Sequence, residues 1–565
     1  MDYAELCNYY QKLDSTTKRL EKTSILVELL KKTSVEDLKS VIYLLHGTVF
    51  PEWDPRKLGV SSQIIIKALV TSMGVGKEEV VNLWKKLGDL GLAAEELDKK
   101  KKQKILHSEK LTVKKVFTNI ERLATLEGKG TVGNKVQLLA ELLGNANSIE
   151  SRYVVRTVLG NLRVGVAEGI VRDAISHAYN KEVKEIEEAF NLLLDYVEVA
   201  VLAKENKLHN IELRAGRPIN MMLAVPAVDV SEAFEITGKP AQFEYKLDGF
   251  RLQIHKNDGI RLFTRRFEEV SNQFPDVIEF VKKHVDGISF IIDCEAVGID
   301  KKTGRYLPFQ SIGQRIRRKY DIGEMSKNFP VELNLFDIIY YNGENLFSKT
   351  LEERRKLLEK IVKQEKGKII LTKKLITDNE KEANDFFKQA LAAGVEGLMG
   401  KNLKGEYRPG RYVGGWVKLK KILEPLDLVI VKAEWGEGKR ASFLSSYTVA
   451  CRNGSKLEEL GKVSTGMKEK SEGLTFDEMT KMLKPLITKG HGREVTVKPE
   501  IVVEIGYQEI QKSTNYSSGF SLRFPRVLRL RTDEKTVKQI NTLQDVKKIF
   551  EGQLGKKKQG KFNLH

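Results

Sequence analysis

Cysteine is scarce: Cys7, Cys294 and Cys451 are the three in 565 residues. Their odd number and wide separation exclude a disulfide scaffold and any four-cysteine zinc site, and fit a reducing cytoplasm. Long apolar runs are missing too. None approaches the roughly 18 residues that would suggest a membrane span. The opening MDYAELCNYYQKLD lacks the basic, apolar, small-residue order of a signal peptide. The expectation is a cytoplasmic protein with no membrane partner. Acidic residues are outnumbered, 77 against 96 lysines and arginines, leaving a formal charge of +19. That excess favours polyanionic partners, although a merely lysine-rich proteome accounts for it equally well. Apolar sequence is ample, at 41%. At roughly 150 residues per domain the chain should hold three or four domains.

The first two hundred residues read as helical. Ser34-Val35-Glu36-Asp37 sets a hydroxyl ahead of a carboxylate at capping-box spacing, Leu38, Val41, Ile42 and Leu45 follow at helical spacing, and Gly47 closes the segment. Similar periodicity predicts helices over 80–100, 112–125, 134–145 and 184–203. A lysine run (Lys99–Lys102) and two basic glycine-containing turns, GKGTVGNK (128–135) and NLRVGVAEG (161–169), lie between them. Turns of this kind expose N–H groups at helix starts, which can hold phosphates without reading sequence; ordinary interhelical turns are the simpler reading of each alone.

A proline-containing stretch near 205–240 loses this periodicity and reads as a linker. From 241 the period is two. Phe250, Leu252 and Ile254 alternate with Arg251, Gln253 and His255, and Ile288, Phe290 and Ile292 with Ser289, Ile291 and Asp293. Helical segments at 350–364 and 380–393 make this an α+β region. Short strands dominate after about 424, for which a small barrel is the natural package.

The chemistry centres on Lys246-Leu247-Asp248-Gly249-Phe250-Arg251. A K-x-D-G string alone is weak, with roughly one chance in seven of arising in a chain this long. Its context is stronger. Glu295 lies on a buried-looking strand with Asp293 on the same face, GVEGLMGKN supplies Glu396 and Lys401, and WVKLKK puts Trp416, Lys418 and Lys420 on one strand face. SLRFPRVLRLR adds Arg523, Arg526, Arg529 and Arg531. Carboxylates on apolar strands are costly unless paired or metal-bound, so these residues describe a pocket for a charged ligand and a metal.

The segments EYKLDGFR (244–251), FTRR (263–266), IDCEAV (292–297), LNLFDIIYYNG (333–343), EGLMGKN (396–402), WVKLKK (416–421) and SLRFPRVLRLR (521–531) resemble, in order, the motifs of ATP-dependent DNA ligases. These belong to the covalent nucleotidyltransferase superfamily. The helical half and LRVGVAEG look like the DNA-binding domain of archaeal and eukaryotic replicative ligases. The resemblance implies an all-α DNA-binding domain (1–215), an α+β nucleotidyltransferase or adenylation domain (216–423), and a C-terminal β-barrel OB-fold domain (424–565) with a basic tail.

It also implies roles. Lys246 would attack the α-phosphorus of ATP and carry AMP as a phosphoramidate. Glu244 would recognise the adenine and Phe336 stack on it, while Arg251 and Arg265 would contact ribose or phosphate. Lys418, Lys420 and Arg251, with a bound metal, would favour the unprotonated amine and stabilise charge in flight. Glu295 and Glu396 would be carboxylates for Mg²⁺ or Mn²⁺. Arg526 and Arg529 would orient the departing pyrophosphate, a DNA-facing basic strand being the alternative. Arg411 is the candidate for the arginine that precedes the WVKLK strand. Nicked duplex DNA is the implied partner of a monomeric enzyme in replication, repair and recombination. A sliding clamp is a further partner the family implies; Gln103-Lys104-Ile105-Leu106 reads as a degenerate docking peptide lacking the usual paired aromatics or, more simply, as a solvated loop. The rivals are an RNA ligase, a capping guanylyltransferase and a non-catalytic OB-fold binder. The large helical region disfavours the first two, and the last leaves Lys246, Glu295 and Lys418 unexplained.

Overall fold

A computed structural model describes residues 1–100, 109–128, 130–300, 302–307, 309–317, 321–411, 415–420, 423–436, 440, 442–467 and 474–553. Lys101, Lys102, the 103–106 peptide, Lys129, Lys421, the tail from 555 and the Arg411 side chain lie outside the described residues. The chain divides into two compact units: Met1–Glu380 with Met399–Lys418, and Lys381–Leu398 with Leu419–His565.

The first unit opens with α-helices from Tyr3–Asp14 to Tyr196–Lys204, packed around one apolar core that runs from Tyr3 to Ala203. Ser34 caps the helix Val35–Leu45 by accepting from the Asp37 N–H at 3.2 Å. The reciprocal half of a capping box is absent, because the Asp37 carboxylate pairs with the Met1 amino group at 2.7 Å. The periodic stretch 80–100 is two helices, Lys77–Leu87 and Leu90–Lys99. Gly88 turns left-handed (φ 67°) and Asp89 restarts the ladder by accepting from the N–H groups of Gly91 and Leu92. The stretch 184–203 breaks likewise at Leu194 (φ 48°), with Asp195 capping the next helix.

The NLRVGVAEG turn is held from beneath. Lys22, buried, donates to the Val164 carbonyl, and Gly165 (φ 63°) has no space for a Cβ, which would stand 2.8 Å from Lys22 Nζ. In the GKGTVGNK segment the helix Thr131–Asn145 starts directly after Gly130; Lys135, buried within that helix, donates to the Leu58 carbonyl at 2.7 Å.

The remainder of this unit carries the strands β1 (Met222–Leu223), β2 (Val225–Ala227), β3 (Ala241–Lys246), β4 (Phe250–Lys256), β5 (Ile260–Thr264), β6 (Phe290–Gly298), β7 (Val331–Tyr341), β8 (Glu344–Asn345), β9 (Ile369–Leu371), β10 (Lys374–Thr377), β11 (Gly397–Asn402), β12 (Gly410–Arg411) and β13 (Trp416–Lys420). One sheet has the order β5-β4-β6-β7-β8, with β9 paired parallel to β7. A second has the order β10-β3-β11-β13-β2, to which β11 contributes Met399–Asn402 and β13 Trp416–Lys418 within this unit. The stretch read as a linker therefore contains β1, β2 and the helix Val230–Thr237.

Period two in β4 and β6 sorts the first sheet's faces. Leu252, Ile254, Ile292 and Cys294 face a core shared with helices Pro275–His284 and Leu351–Ile361. Arg251, Gln253 and His255 align with Glu295, Asp293 and Ile291 on the other face. Ile288, read as part of this alternation, is 82% exposed and precedes the strand; its N–H donates to Asn342 Oδ1, which ends the pairing there.

The second unit begins with the helix Glu380–Ala392 and continues as strands: β14 (Leu426–Trp435), β15 (Leu444–Asn453), β16 (Lys456–Val463), β17 (Ile487–His491), β18 (Glu494–Val497), β19 (Val502–Gly506), β20 (Glu509–Lys512), β21 (Phe520–Arg523) and β22 (Arg526–Leu530). Strand β14 changes partner along its length, pairing with β19 over Leu426–Val429 and with β18 over Lys432–Glu434. This lets the sheet turn around a core that includes Leu428, Ile430, Tyr447, Val449 and Val503.

His255 carries a testable electrostatic consequence. It is fully buried, and burial, reinforced by Arg261, pushes its imidazole down to about 3 from the usual 6.5. The unfolded chain therefore takes up a proton that the folded chain refuses between those values, and stability is lost as pH falls below about 6.5. The slope from this group approaches about 1.4 kcal/mol per pH unit. Urea midpoints between pH 7 and pH 5 should fall accordingly; a flat profile would show that His255 is not held neutral.

Candidate active site

Strand β3 ends at Lys246, and Asp248-Gly249 bend the chain into β4. Gly249 belongs there for want of space: a Cβ on it would lie 2.4 Å from the Ala296 carbonyl oxygen and 3.0 Å from Glu295 Cγ. The bend is thereby laid against the strand that carries Glu295. Asp248 Oδ2 accepts from the Phe309 N–H at 3.3 Å. Lys246 and Glu295 are both half-buried.

Around this bend the charged residues are tied in pairs. Glu244 is buried; one oxygen accepts from Gln242 Nε2 at 2.6 Å and the other meets Lys401 Nζ at 2.6 Å, with Arg355 at 3.6 Å. Burial pushes the Lys401 ammonium down, and the Glu244 carboxylate opposes that shift. The same ammonium lies 4.6 Å from the Phe336 ring centre and 4.3 Å from that of Trp416, whose rings meet edge to face at 5.9 Å. The Arg251 guanidinium stands 5.3 and 5.4 Å from the same two rings. Its Nη2 donates to Asp293 Oδ2 and its Nη1 to the Met222 carbonyl, both at 2.6 Å. Arg251 Nε is buried with no partner among the described residues.

Glu244, Arg251, Glu295 and Phe336 are thus gathered in one layer beside Lys246. Lys418 continues the β13 face that carries Trp416, opposite buried Val417 and Leu419. Arg265 is exposed in the turn after β5. Arg411 is described through its backbone, paired in register with Leu223. In the second unit Glu396 forms an ion pair with Lys420 at 2.7 Å. There Arg526 and Arg529 are both exposed, and Arg529 pairs with Glu504 at 2.8 Å and Glu534 at 3.2 Å. Sequence reading placed Asp293 and Lys401 in the charged pocket without an individual role, and passed over Tyr407. Asp293 was marked by its face on β6, whereas nothing local marks Tyr407.

Three family models cover most of the chain: DNA ligase N terminus over residues 2–176, ATP dependent DNA ligase domain over 221–420, and ATP dependent DNA ligase C terminal region over 440–534. A DNA ligase of Nanoarchaeum equitans is 46% identical over 98% of this chain and 99% of its own. The chain belongs to the ATP-dependent DNA ligase family. A Thermococcus onnurineus DNA ligase is 42% identical, covering 98% of both chains. The solved structure Pmar-Lig_Pre, 17% identical, shares the fold over 93% of this chain and 99% of its own, with a TM-score of 0.57. The helical region, the central adenylation domain and the strand-rich C-terminal domain are those of a DNA ligase. ATP dependence follows from the family, and the rival readings fall away. No helix among the described residues is long and apolar enough to cross a membrane.

Proposed function

We propose that this ligase seals 5′-phosphate/3′-hydroxyl nicks through a covalent AMP on Lys246. The observation that carries the assignment is the gathering of Glu244, Arg251, Glu295 and Phe336 in the layer where the strand bearing Lys246 ends. The Lys246 amine attacks the α-phosphorus of ATP. An N–P bond forms as the bond to the β-phosphate oxygen breaks, and pyrophosphate leaves. AMP then passes to the 5′-phosphate at the nick, and the neighbouring 3′-hydroxyl displaces it.

Glu244, fixed by Gln242 and Lys401, presents a rigid acceptor for the adenine edge, and Phe336 offers its ring. The unpartnered Nε of Arg251 is a donor left for the nucleotide, Arg265 would contact its ribose or phosphates, and Arg411 is a further candidate for nucleotide binding. Lys418 and Lys420 supply positive charge to the α-phosphate. No group of three or more metal-ligating side chains occurs among the described residues. Glu295 and Glu396 provide the hard oxygens suited to Mg²⁺ or Mn²⁺, which commonly binds through one or two carboxylates, phosphate oxygens and water. Such a metal would neutralise phosphate charge.

In this reading residues 1–215 grip the duplex through its phosphates, 216–423 hold the nucleotide and 424–565 carry Arg526 and Arg529 to the pyrophosphate. The enzyme would act as a monomer, with a sliding clamp to keep it at its substrate.

Incubation with α-labelled ATP and Mg²⁺, followed by nicked duplex, tests the scheme: label should enter protein, then DNA, then appear as free AMP. Alanine at both Arg526 and Arg529 should slow protein labelling by about a hundredfold while sparing the sealing of a pre-adenylylated nick. Equal losses in both assays would favour the DNA-facing role for these arginines.

A further inference from the structure

The segment that joins the helical region to the first strands runs without regular structure from about 211 to 221, yet it crosses a buried layer. Buried N–H groups need acceptors, and here three of them are side chains. The Gly216 N–H donates to His255 Nδ1 at 3.1 Å, the Ile219 N–H to Gln253 Oε1 at 3.0 Å, and the Met222 N–H to the Tyr407 hydroxyl at 3.0 Å. Because Nδ1 of the neutral His255 accepts, its proton sits on Nε2, which donates to Gln253 Oε1 at 2.8 Å. Gln253 Nε2 in turn donates to Asp293 Oδ1 at 3.3 Å.

All of these bonds converge on Asp293. Its Oδ2 accepts from Arg251 at 2.6 Å and from the Tyr407 hydroxyl at 2.7 Å. Arg251 closes the loop by donating to the Met222 carbonyl, so both polar groups of Met222 are taken. Met222 also pairs with Gly410; Asn191 from the helical region donates to the neighbouring Pro409 carbonyl at 3.3 Å and accepts from Asn220 Nδ2 at 2.9 Å. Tyr407 itself is buried, with its ring packed on Phe347 at 5.4 Å and on Trp416 at 6.1 Å.

We propose that Tyr407 is a positioning residue of the adenylylation site. Its hydroxyl locks the Asp293–Arg251 pair beside Glu295 and fastens to that pair the strand arriving from the helical region. It touches neither ATP nor DNA in this role; it sets where the Arg251 guanidinium stands, in register with Glu295. The inference rests on the lysyl-AMP reading above. The phenyl ring of a Tyr407→Phe variant keeps the packing on Phe347 and Trp416, while Asp293 loses one donor and the Met222 N–H its acceptor.

The test is single-turnover adenylylation of the full-length protein at saturating α-labelled ATP, by rapid quench. Tyr407→Phe should lower the rate constant by about ten- to a hundredfold with the labelled amplitude retained. A residue that only supports the fold would instead reduce the amplitude, as inactive molecules accumulate, and leave the rate constant at the wild-type value; that outcome overturns the proposal. If Tyr407→Phe does not fold, Asp293→Asn, which keeps the shape and removes the charge facing Arg251, should show the same loss of rate at full amplitude, and a wild-type rate there overturns it as well. Failure of the wild-type protein itself to take up label would refute the lysyl-AMP reading, a result separate from either of these.

Discussion

Replacing Lys246 by alanine should abolish both protein labelling from α-labelled ATP and the sealing of a 5′-phosphate nick. In the proposed scheme the amine nitrogen forms the bond to phosphorus and no neighbouring group takes its place, so the loss should be on the order of 10⁵–10⁶, below detection. The fold should survive, because Lys246 stands half-buried at a strand end while the flanking Phe243, Leu247 and Phe250 are the buried residues. A pre-adenylylated nick bypasses the covalent enzyme step, so the variant should still seal it measurably. An acid-labile AMP adduct at wild-type level in Lys246→Ala would place the nucleophile elsewhere.

Gly249→Ala should also slow adenylylation, by less than the loss of the amine, without removing any functional group. A methyl group there would sit 2.4 Å from the Ala296 carbonyl oxygen and 3.0 Å from Glu295 Cγ. The obstacle is backbone rather than a side-chain tip, so the bend or β6 must move by a substantial fraction of an ångström. A displacement of that size at the reacting centre costs roughly a hundredfold in rate, and the overpacking about 1–3 kcal/mol in stability. Adenylylation rate and urea midpoint, measured on the same sample, should both fall. A variant that labels at the wild-type rate would mean that β6 yields freely, and that Glu295 is not held by this contact.

Much of this was legible in the chain because it depends on local periods. Alternation put Arg251 and Gln253 on one face of a strand and Asp293 with Glu295 on one face of another, and the structure sets those faces together in register. The ordered motifs from EYKLDGFR to SLRFPRVLRLR identified the family. Helix boundaries were less legible. Gly88 is an ordinary stop signal, whereas the left-handed Leu194 carries no such mark in the sequence, although Asp195 caps the next helix directly after it.

By itself, then, the sequence determined the helical, mixed and strand-rich regions and the family, and it supplied the residues proposed to meet phosphorus and adenine. Tertiary structure alone decided which groups partner the buried charges. Glu244 is balanced by Lys401, Asp293 by Arg251 and Tyr407, and Asp337 by the fully buried Arg354. Each of these pairs joins segments distant in the chain, and their meeting depends on strand order and register rather than on any local period. Lys135 makes the same point: it closes the basic GKGTVGNK segment, yet the packing of the helices buries it against a carbonyl. Burial requires a partner for every charge, and only the folded chain determines which partner is within reach.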